Sequence, residues 1–209
     1  MRCRPVRGAI STCMWGIVAC PAAPRTGGII GNRVSGRSVL EGALRMRIAV
    51  LADTHWKGSD AVPDRVLELL HDTDVVIHAG DLKCEHVLAT LADNDRQVLA
   101  VRGNNFDLDL SSLPDVRVED LSGYKVGIAH DIGAVNQYAA HARKPEDIFG
   151  EHVDCVIFGQ THHPFFDVLH GVPFINPGSA TDQDHSGAPG TVAVLDVNGH
   201  LQRVTFEQL

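Results

Sequence analysis

From residue 46 onward the sequence predicts an α/β fold of two packed sheets with helices on the outside. Three observations carry the prediction. Five short runs rich in Val and Ile each stop at a polar cluster, helical patterns separate only the first three, and beyond residue 111 strand-like segments follow one another with few helices between them. Short continuous apolar runs suit strands covered on both faces, and a sheet buries its apolar face only against another layer.

The five runs are 47–52 before Asp53-Thr54-His55, 74–78 before Ala79-Gly80-Asp81, 97–101 before Gly103-Asn104-Asn105, 125–129 before His130-Asp131, and 154–158 before Gly159-Gln160-Thr161-His162-His163. Between the first two, Pro63 opens a helical pattern carried by Val66, Leu67, Leu69 and Leu70. Between the second and third, 85–91 places Val87, Leu88 and Leu91 on one face. A β-α-β-α-β order implies right-handed crossovers and a largely parallel sheet. Segments 116–119, 165–169, 172–175, 191–197 and 201–206 read as further strands, with a helical pair near 136–143 and 145–149. Asn198-Gly199 reads as a two-residue hairpin turn between the last two strands. One parallel-leaning sheet against one mixed sheet, in a single domain over 46–209, accounts for the pattern.

Residues 1–45 are of a different kind. They are rich in Gly, Pro, Arg and Ser and show neither helical nor strand periodicity. The apolar stretch 9–20 resembles a signal-peptide core only loosely, because Ser11, Thr12 and Gly16 dilute it. Met46 directly opens the first strand, so 1–45 is expected to be a disordered extension or a mis-called start.

Composition narrows the function classes. With 209 residues, 44% hydrophobic and 21% charged, the chain suits one sizeable core. No apolar run approaches the roughly 18 residues of a membrane helix. A net charge of −8 and only 5% aromatics argue against a general nucleic-acid binder. The charge is unevenly placed: 1–45 carries +6 and the remainder −14, and all twelve histidines lie in that acidic remainder. Of the five cysteines, Cys3, Cys13 and Cys20 lie in the extension, while Cys84 and Cys155 fall in an apparent helix and an apolar strand. Nothing resembles a disulfide framework, so a reducing cytoplasm is expected.

Open α/β sheets bind ligands at the carboxyl ends of their strands. Here those ends carry Asp53 and His55, Asp81, Asn104, His130, and Gln160 with His162. Carboxylate, imidazole and amide oxygen together suit Mn, Fe, Zn or Ni, and a carboxylate can bridge two cations about 3.5–4 Å apart. Each signal alone is weak, since a single strand-end histidine is commonly structural. Five in succession, each directly after an apolar run, point to a metal site.

Asp53-Thr54-His55, Gly80-Asp81, Gly103-Asn104, His130 and Gly159-Gln160-Thr161-His162 resemble, in order, the motifs of calcineurin-like metallophosphoesterases. The short length and Asn176-Pro177-Gly178-Ser179 resemble the small phosphodiesterase branch, which includes the retromer scaffold subunit. The resemblance covers about 46–209 and implies a four-layer αββα sandwich of two mixed sheets. It implies two divalent ions, Mn foremost and otherwise Ni, Fe, Zn or Mg. The first would be held by Asp53, His55, Asp81 and His162, the second by a bridging Asp81 with Asn104, His130 and residue 160. A hydroxide shared by the metals would attack phosphorus in line, with Asp81, Asn104 and His130 at the reacting centre.

Two departures qualify that expectation. Gln160 stands where the family usually has histidine. An amide oxygen is the weaker donor, so the second site is expected to hold its ion less tightly, with His163 or His185 as alternative ligands. Asn105 stands where many members have a histidine that protonates the leaving group, which Asn cannot do. Activity should therefore favour acidic leaving groups. Asp131 either orients His130 or caps a turn, Asp107 and Asp109 begin a short helix, His78 is a core histidine, and Trp56 with Lys57 either shapes the substrate mouth or, as the plainer reading, forms an exposed loop. A phosphodiesterase acting on a small phosphate ester or phosphodiester is the expected function, with a catalytically weak scaffold as the alternative. A protein phosphatase is disfavoured by length, and a homo-oligomer is left open.

Overall fold

Ile48-Ala49-Val50-Leu51 is buried at all four positions, so its alternating side chains must be covered on both faces of the sheet. A computed structural model of the chain describes residues 45–56, 62–84, 86–92, 96–104, 110–133, 143–181 and 189–209. This run forms β1 (Met46–Leu51). It is followed by α1 (Asp64–Leu70), β2 (Val75–His78), α2 (His86–Leu91) and β3 (Gln97–Ala100). β1 pairs parallel with β2 (Leu51 opposite His78), and β2 parallel with β3 (His78 opposite Ala100). Then come β4 (Val116–Leu121), β5 (Tyr124–Ala129), α3 (Pro145–Phe149), β6 (Cys155–Ile157), β7 (Pro164–Leu169), β8 (Val172–Pro177), β9 (Thr191–Val197) and β10 (Leu201–Gln208).

These strands make two five-stranded sheets, ordered β10-β9-β1-β2-β3 and β4-β5-β6-β8-β7. The second is mixed: β5, β6 and β8 run parallel between antiparallel β4 and β7. The first is mixed as well, where the local pattern leaned parallel, because β9 returns to pair antiparallel with β1. All seven residues of β9 are buried, as a strand between β1 and β10 requires. The β9–β10 connection is a three-residue loop, 198–200, rather than the two-residue turn that Asn198-Gly199 suggested.

Four layers result. Ile48, Val50, Ile77 and Leu99 of the first sheet interlock with Val126, Ile128, Ile157 and Ile175 of the second. On the outer face of the first sheet, Ala49, Leu51 and Val76 meet Val66 and Leu70 of α1 and Val87 and Leu91 of α2. On the outer face of the second, Ala129, Val156, Phe158 and Phe174 pack with Ile148 and Phe149 of α3. A side chain at Gly127 would lie 2.6 Å from the Phe149 ring, so the bare backbone of β5 is what lets α3 lie flat. Fully burying one such aliphatic or aromatic side chain contributes about 1.5–3 kcal/mol. α3 begins with Pro145 at its first turn and ends at Gly150 in the left-handed conformation, whose N–H donates to the Glu146 carbonyl. Residues 1–44 and, of the helix expected near 136–143, all but Arg143 lie outside the described residues, and no described helix is long and apolar enough to cross a membrane.

Candidate metal centre

Each strand end is bent sharply so that its polar residue looks across the rim instead of continuing up and down the sheet. Asp53 follows β1 with φ 53°, and Asp81 follows β2 with φ 60°. The loop after β6 holds Gln160 at φ 70° and His162 at φ 59°. Left-handed backbone costs a residue with a Cβ roughly 1–2 kcal/mol, so surrounding bonds must hold it. Asp53 N–H donates to the Gly80 carbonyl at 3.0 Å. The Asp53 carbonyl in turn accepts from Ser179 Oγ (3.0 Å) and Thr181 Oγ1 (3.2 Å). Asp81 N–H donates to the Arg102 carbonyl at 3.1 Å. Beside it Gly103 is obligatory, because a Cβ there would collide with the Asp81 backbone nitrogen.

His130 directly follows β5 with its Nδ1 2.8 Å from the Ala79 carbonyl, which assigns the proton to Nδ1 and leaves the Nε2 lone pair facing the rim. Gly80 makes room for that ring: a Cβ on it would lie 2.8 Å from the imidazole. Asn176 Nδ2 donates to the Gly159 carbonyl (2.6 Å) and to Thr161 Oγ1 (3.0 Å), and Ser179 N–H donates to the His162 carbonyl (3.2 Å). The Asn176-Pro177-Gly178-Ser179 segment thus braces the loop that carries Gln160 and His162, a role the sequence alone did not reveal.

The predicted residues converge. Asp53 Oδ1 lies 3.3 Å from His162 Nε2 and 3.9 Å from His130 Nε2. His130 Nε2 is 3.6 Å from Asp81 Oδ1, and His55 Nε2 is 3.3 Å from His162 Nε2. Two triads have donor atoms all within 4.8 Å of one another, Asp53-His55-His162 and Asp53-Asp81-His130. Asp53 belongs to both, whereas the sequence reading gave the bridging place to Asp81. The Asn104 backbone N–H donates to Asp81 Oδ1 at 2.8 Å, and its side chain meets Gln160 Oε1 at 2.6 Å. Burial is graded across the site: Asp53 is 0% and His130 3% accessible, while Asn104 is exposed.

Whether cations suit these residues is answered by what the side chains lack. Among the described residues, five buried side-chain polar atoms have no hydrogen-bond partner, and four of them are here: both Asp53 oxygens, His55 Nδ1 and His130 Nε2. Leaving such an atom unsatisfied costs about 1–3 kcal/mol. A buried carboxylate facing imidazole lone pairs is a poor arrangement by itself and a good one around a divalent ion. Burial also lowers the His55 pKa, against an upward pull from Asp53 and with further lowering from His162, which favours the neutral, ligating ring.

Beneath the rim, His78 is fully buried, as expected of a core histidine. It accepts from Gly80 N–H at Nδ1 (3.2 Å) and so donates from Nε2 to Thr54 Oγ1 (3.0 Å). Asp131 accepts from Gly133 N–H at 2.7 Å, the turn-capping one of its two expected roles. Other residues differ from expectation. Trp56 is not exposed but buried in the core under the helices, and its carbonyl accepts from the Cys84 thiol. Cys84 precedes α2 instead of lying in it. His163 is exposed and belongs to neither triad. Lys57, Asn105, Asp107, Asp109 and His185 lie outside the described residues.

Comparison with known proteins agrees with this geometry. The family described as the calcineurin-like phosphoesterase superfamily domain matches residues 46–200. A probable metallophosphoesterase of Methanocaldococcus jannaschii is 33% identical over 139 residues, which is 65% of this chain and 69% of that protein. A phosphodiesterase of the same organism is 27% identical over 163 residues, 72% of this chain and 93% of that protein. Among solved structures, wild-type Vps29 of Entamoeba histolytica complexed with zinc superposes with a TM-score of 0.59 at 25% identity, covering 78% of this chain and 98% of that one.

Proposed function

The chain belongs to the calcineurin-like phosphoesterase superfamily, and from that premise we propose that it is a metal-dependent phosphodiesterase. Its catalytic unit runs over 46–209, and it acts in the cytoplasm on a small phosphate ester or phosphodiester. The observation that carries the reading is the set of buried donor atoms on Asp53, His55 and His130 that make no hydrogen bond. Asp53, His55 and His162, with Asp81, would hold one divalent ion. Asp81, Asn104 and His130 would hold a second, manganese being the first to try. When bound, such ions acidify water and draw the anionic oxygens of a phosphoryl group.

The protein's own residues do the rest. His130 keeps Nε2 available because Ala79 fixes the proton on Nδ1. Asp53 presents its carboxylate from a fully buried position, where charge is weakly screened. Asn105 cannot supply a proton to the leaving group, so esters with acidic leaving groups are the preferred substrates.

The test is hydrolysis of bis(p-nitrophenyl) phosphate with Mn, Ni, Mg or Zn, with Asp81→Asn as the control. Metal-dependent turnover that drops in the variant by roughly 10²–10³-fold is expected. A folded wild type that turns over with none of these metals would leave a scaffold role instead. The engagement of Gln160 with Asn104, in place of a free donor, favours that second reading.

A further inference from the structure

Gln160 and Asn104 come from different sheets, follow β6 and β3 respectively, and meet through their amides at 2.6 Å, Asn104 Nδ2 donating to Gln160 Oε1. In this orientation the Asn104 oxygen lies 2.9 Å from Asp81 Oδ2 and 3.1 Å from Asp81 Oδ1. Three oxygens so close repel one another unless a cation lies among them. Turned over, the same amide donates from nitrogen to both Asp81 oxygens at those distances, and its oxygen faces Gln160, 3.2 Å from Nε2 but 2.6 Å from Oε1. That last contact sets two oxygens together, so Gln160 must turn as well and present nitrogen.

The two amides are therefore complementary in either of two paired orientations. A cation beside Asp81 would call for the Asn104 oxygen next to the carboxylate, with Gln160 accepting from Asn104 nitrogen. With no cation there, the turned pair, Asn104 donating to Asp81 and Gln160 donating to the Asn104 oxygen, would satisfy every group. An amide can serve in both because it carries a donor and an acceptor on one rotatable group.

We propose that Gln160 is a positioning residue for Asn104, turning with it between these two orientations, and is not itself a donor to the second cation. This rests on the two-cation reading above. It also gives that reading a different cause for a weaker second site: the cation must turn a satisfied amide pair before Asn104 can ligate.

Manganese binding to the full chain, followed by calorimetry and by the paramagnetic signal of the free ion, tests the proposal. The proteins are wild type, Gln160→Asn, Gln160→Leu, Asn104→Ala and Asn104→Ala combined with Gln160→Leu. Gln160→Asn tolerates the left-handed backbone but falls one methylene short of Asn104. Both Gln160 variants are expected to weaken the second ion about 10–100-fold, as loss of a partner that orients a metal ligand does, with the first ion unchanged. In the Asn104→Ala background Gln160→Leu should add less than about twofold, since a residue acting only through another has no effect once that one is gone. A full-sized Gln160 effect in that background, or none in the wild-type background, overturns the proposal and leaves the two-cation reading standing. A wild type that takes up a single ion overturns both. In chelated protein, the Gln160 side-chain amide resonances should move on Asn104→Ala; unmoved resonances also overturn the proposal.

Discussion

Left-handed backbone occurs in two regions of this molecule for opposite reasons. Ser122 (φ 58°) and His170 (φ 54°) each precede a glycine in the two-residue turns joining β4 to β5 and β7 to β8. There, positive φ at both turn positions matches the twist of the flanking strands, and the side chains are exposed. Asp53, Asp81, Gln160 and His162 adopt the same conformation at the rim, where no hairpin demands it. A strand continued without the bend would send those side chains onto the sheet faces. The bend instead swings them toward one another. The hairpins recover their strain locally through strand pairing. At the rim the conformation is held by Ser179, Thr181 and Asn176 and serves only to bring donors together, leaving buried atoms unsatisfied. A site that binds tightly is expected to be the strained part of the fold when nothing is bound.

Asp53→Gly gives the largest effect and breaks the comparison if it has the wrong sign. Glycine adopts φ 53° without strain, and the substitution removes two buried oxygens that make no hydrogen bond. In chelated protein the urea midpoint should rise, by about 1–2 kcal/mol in stability. With manganese present the order should reverse, because the variant loses a residue common to both triads, and turnover should fall by roughly 10³-fold. A chelated variant less stable than wild type would mean that the rim is not strained in the sense argued.

The next effect is acid sensitivity of the layer beneath the rim. His78, inside the core, has its pKa pushed down to about 3 from 6.5, chiefly by burial and then by the neighbouring His130 and His55. The unfolded chain therefore takes up this proton first. The contribution is fully present above about pH 6.5 and is lost as pH falls toward 3, with a slope of about 1.4 kcal/mol per pH unit. A His78→Gln variant should be less stable at pH 7, yet decline less steeply through that window. Parallel slopes for the two proteins, measured by urea unfolding between pH 7 and pH 4, would remove His78 as the acid-labile element. Neither exposed hairpin turn contains a buried titratable group, so substitutions there should leave the slope alone.

The rim was legible in the sequence because its signal is local: an apolar run, then a donor. That put Asp53, His55, Asp81, Asn104, His130, Gln160 and His162 at strand ends before their distances were known, and the structure brings these ends together. What local patterns do not carry is pairing at a distance. Nothing in Thr191–Val197 itself says that it lies beside β1, so the local pattern leaned parallel for the first sheet, and only the family resemblance implied that it is mixed. Trp56 was misread for a related reason, since its burial depends on α1 and α2 closing over it. The braces from Asn176, Ser179 and Thr181 act on backbone carbonyls of residues far away in sequence and leave no periodic trace. The Ser122-Gly123 and His170-Gly171 turns did carry a readable cue, a polar residue before glycine between two strand-like runs, in the same form that drew attention to Asn198-Gly199.

The smallest effect sharpens the comparison most cleanly, because one kind of substitution is made in both regions. Asn tolerates left-handed backbone better than Ser or His, and Asn-Gly is the favoured pair for this hairpin turn. Ser122→Asn and His170→Asn should therefore each stabilise the fold by about 0.5 kcal/mol, within the range of a relieved turn, with manganese affinity and turnover unchanged. Gln160→Asn relieves the same backbone strain at φ 70°, so its chelated stability should change in the same direction by a similar amount, less the lost bond to Asn104. Its second-ion affinity, unlike that of the hairpin variants, should fall. Backbone relief then stabilises both regions, but only at the rim does it act against binding, because only there does the left-handed residue aim a side chain at the site. If the hairpin variants also weakened the ion, strain would be shared across the sheets and the two regions would not be separable.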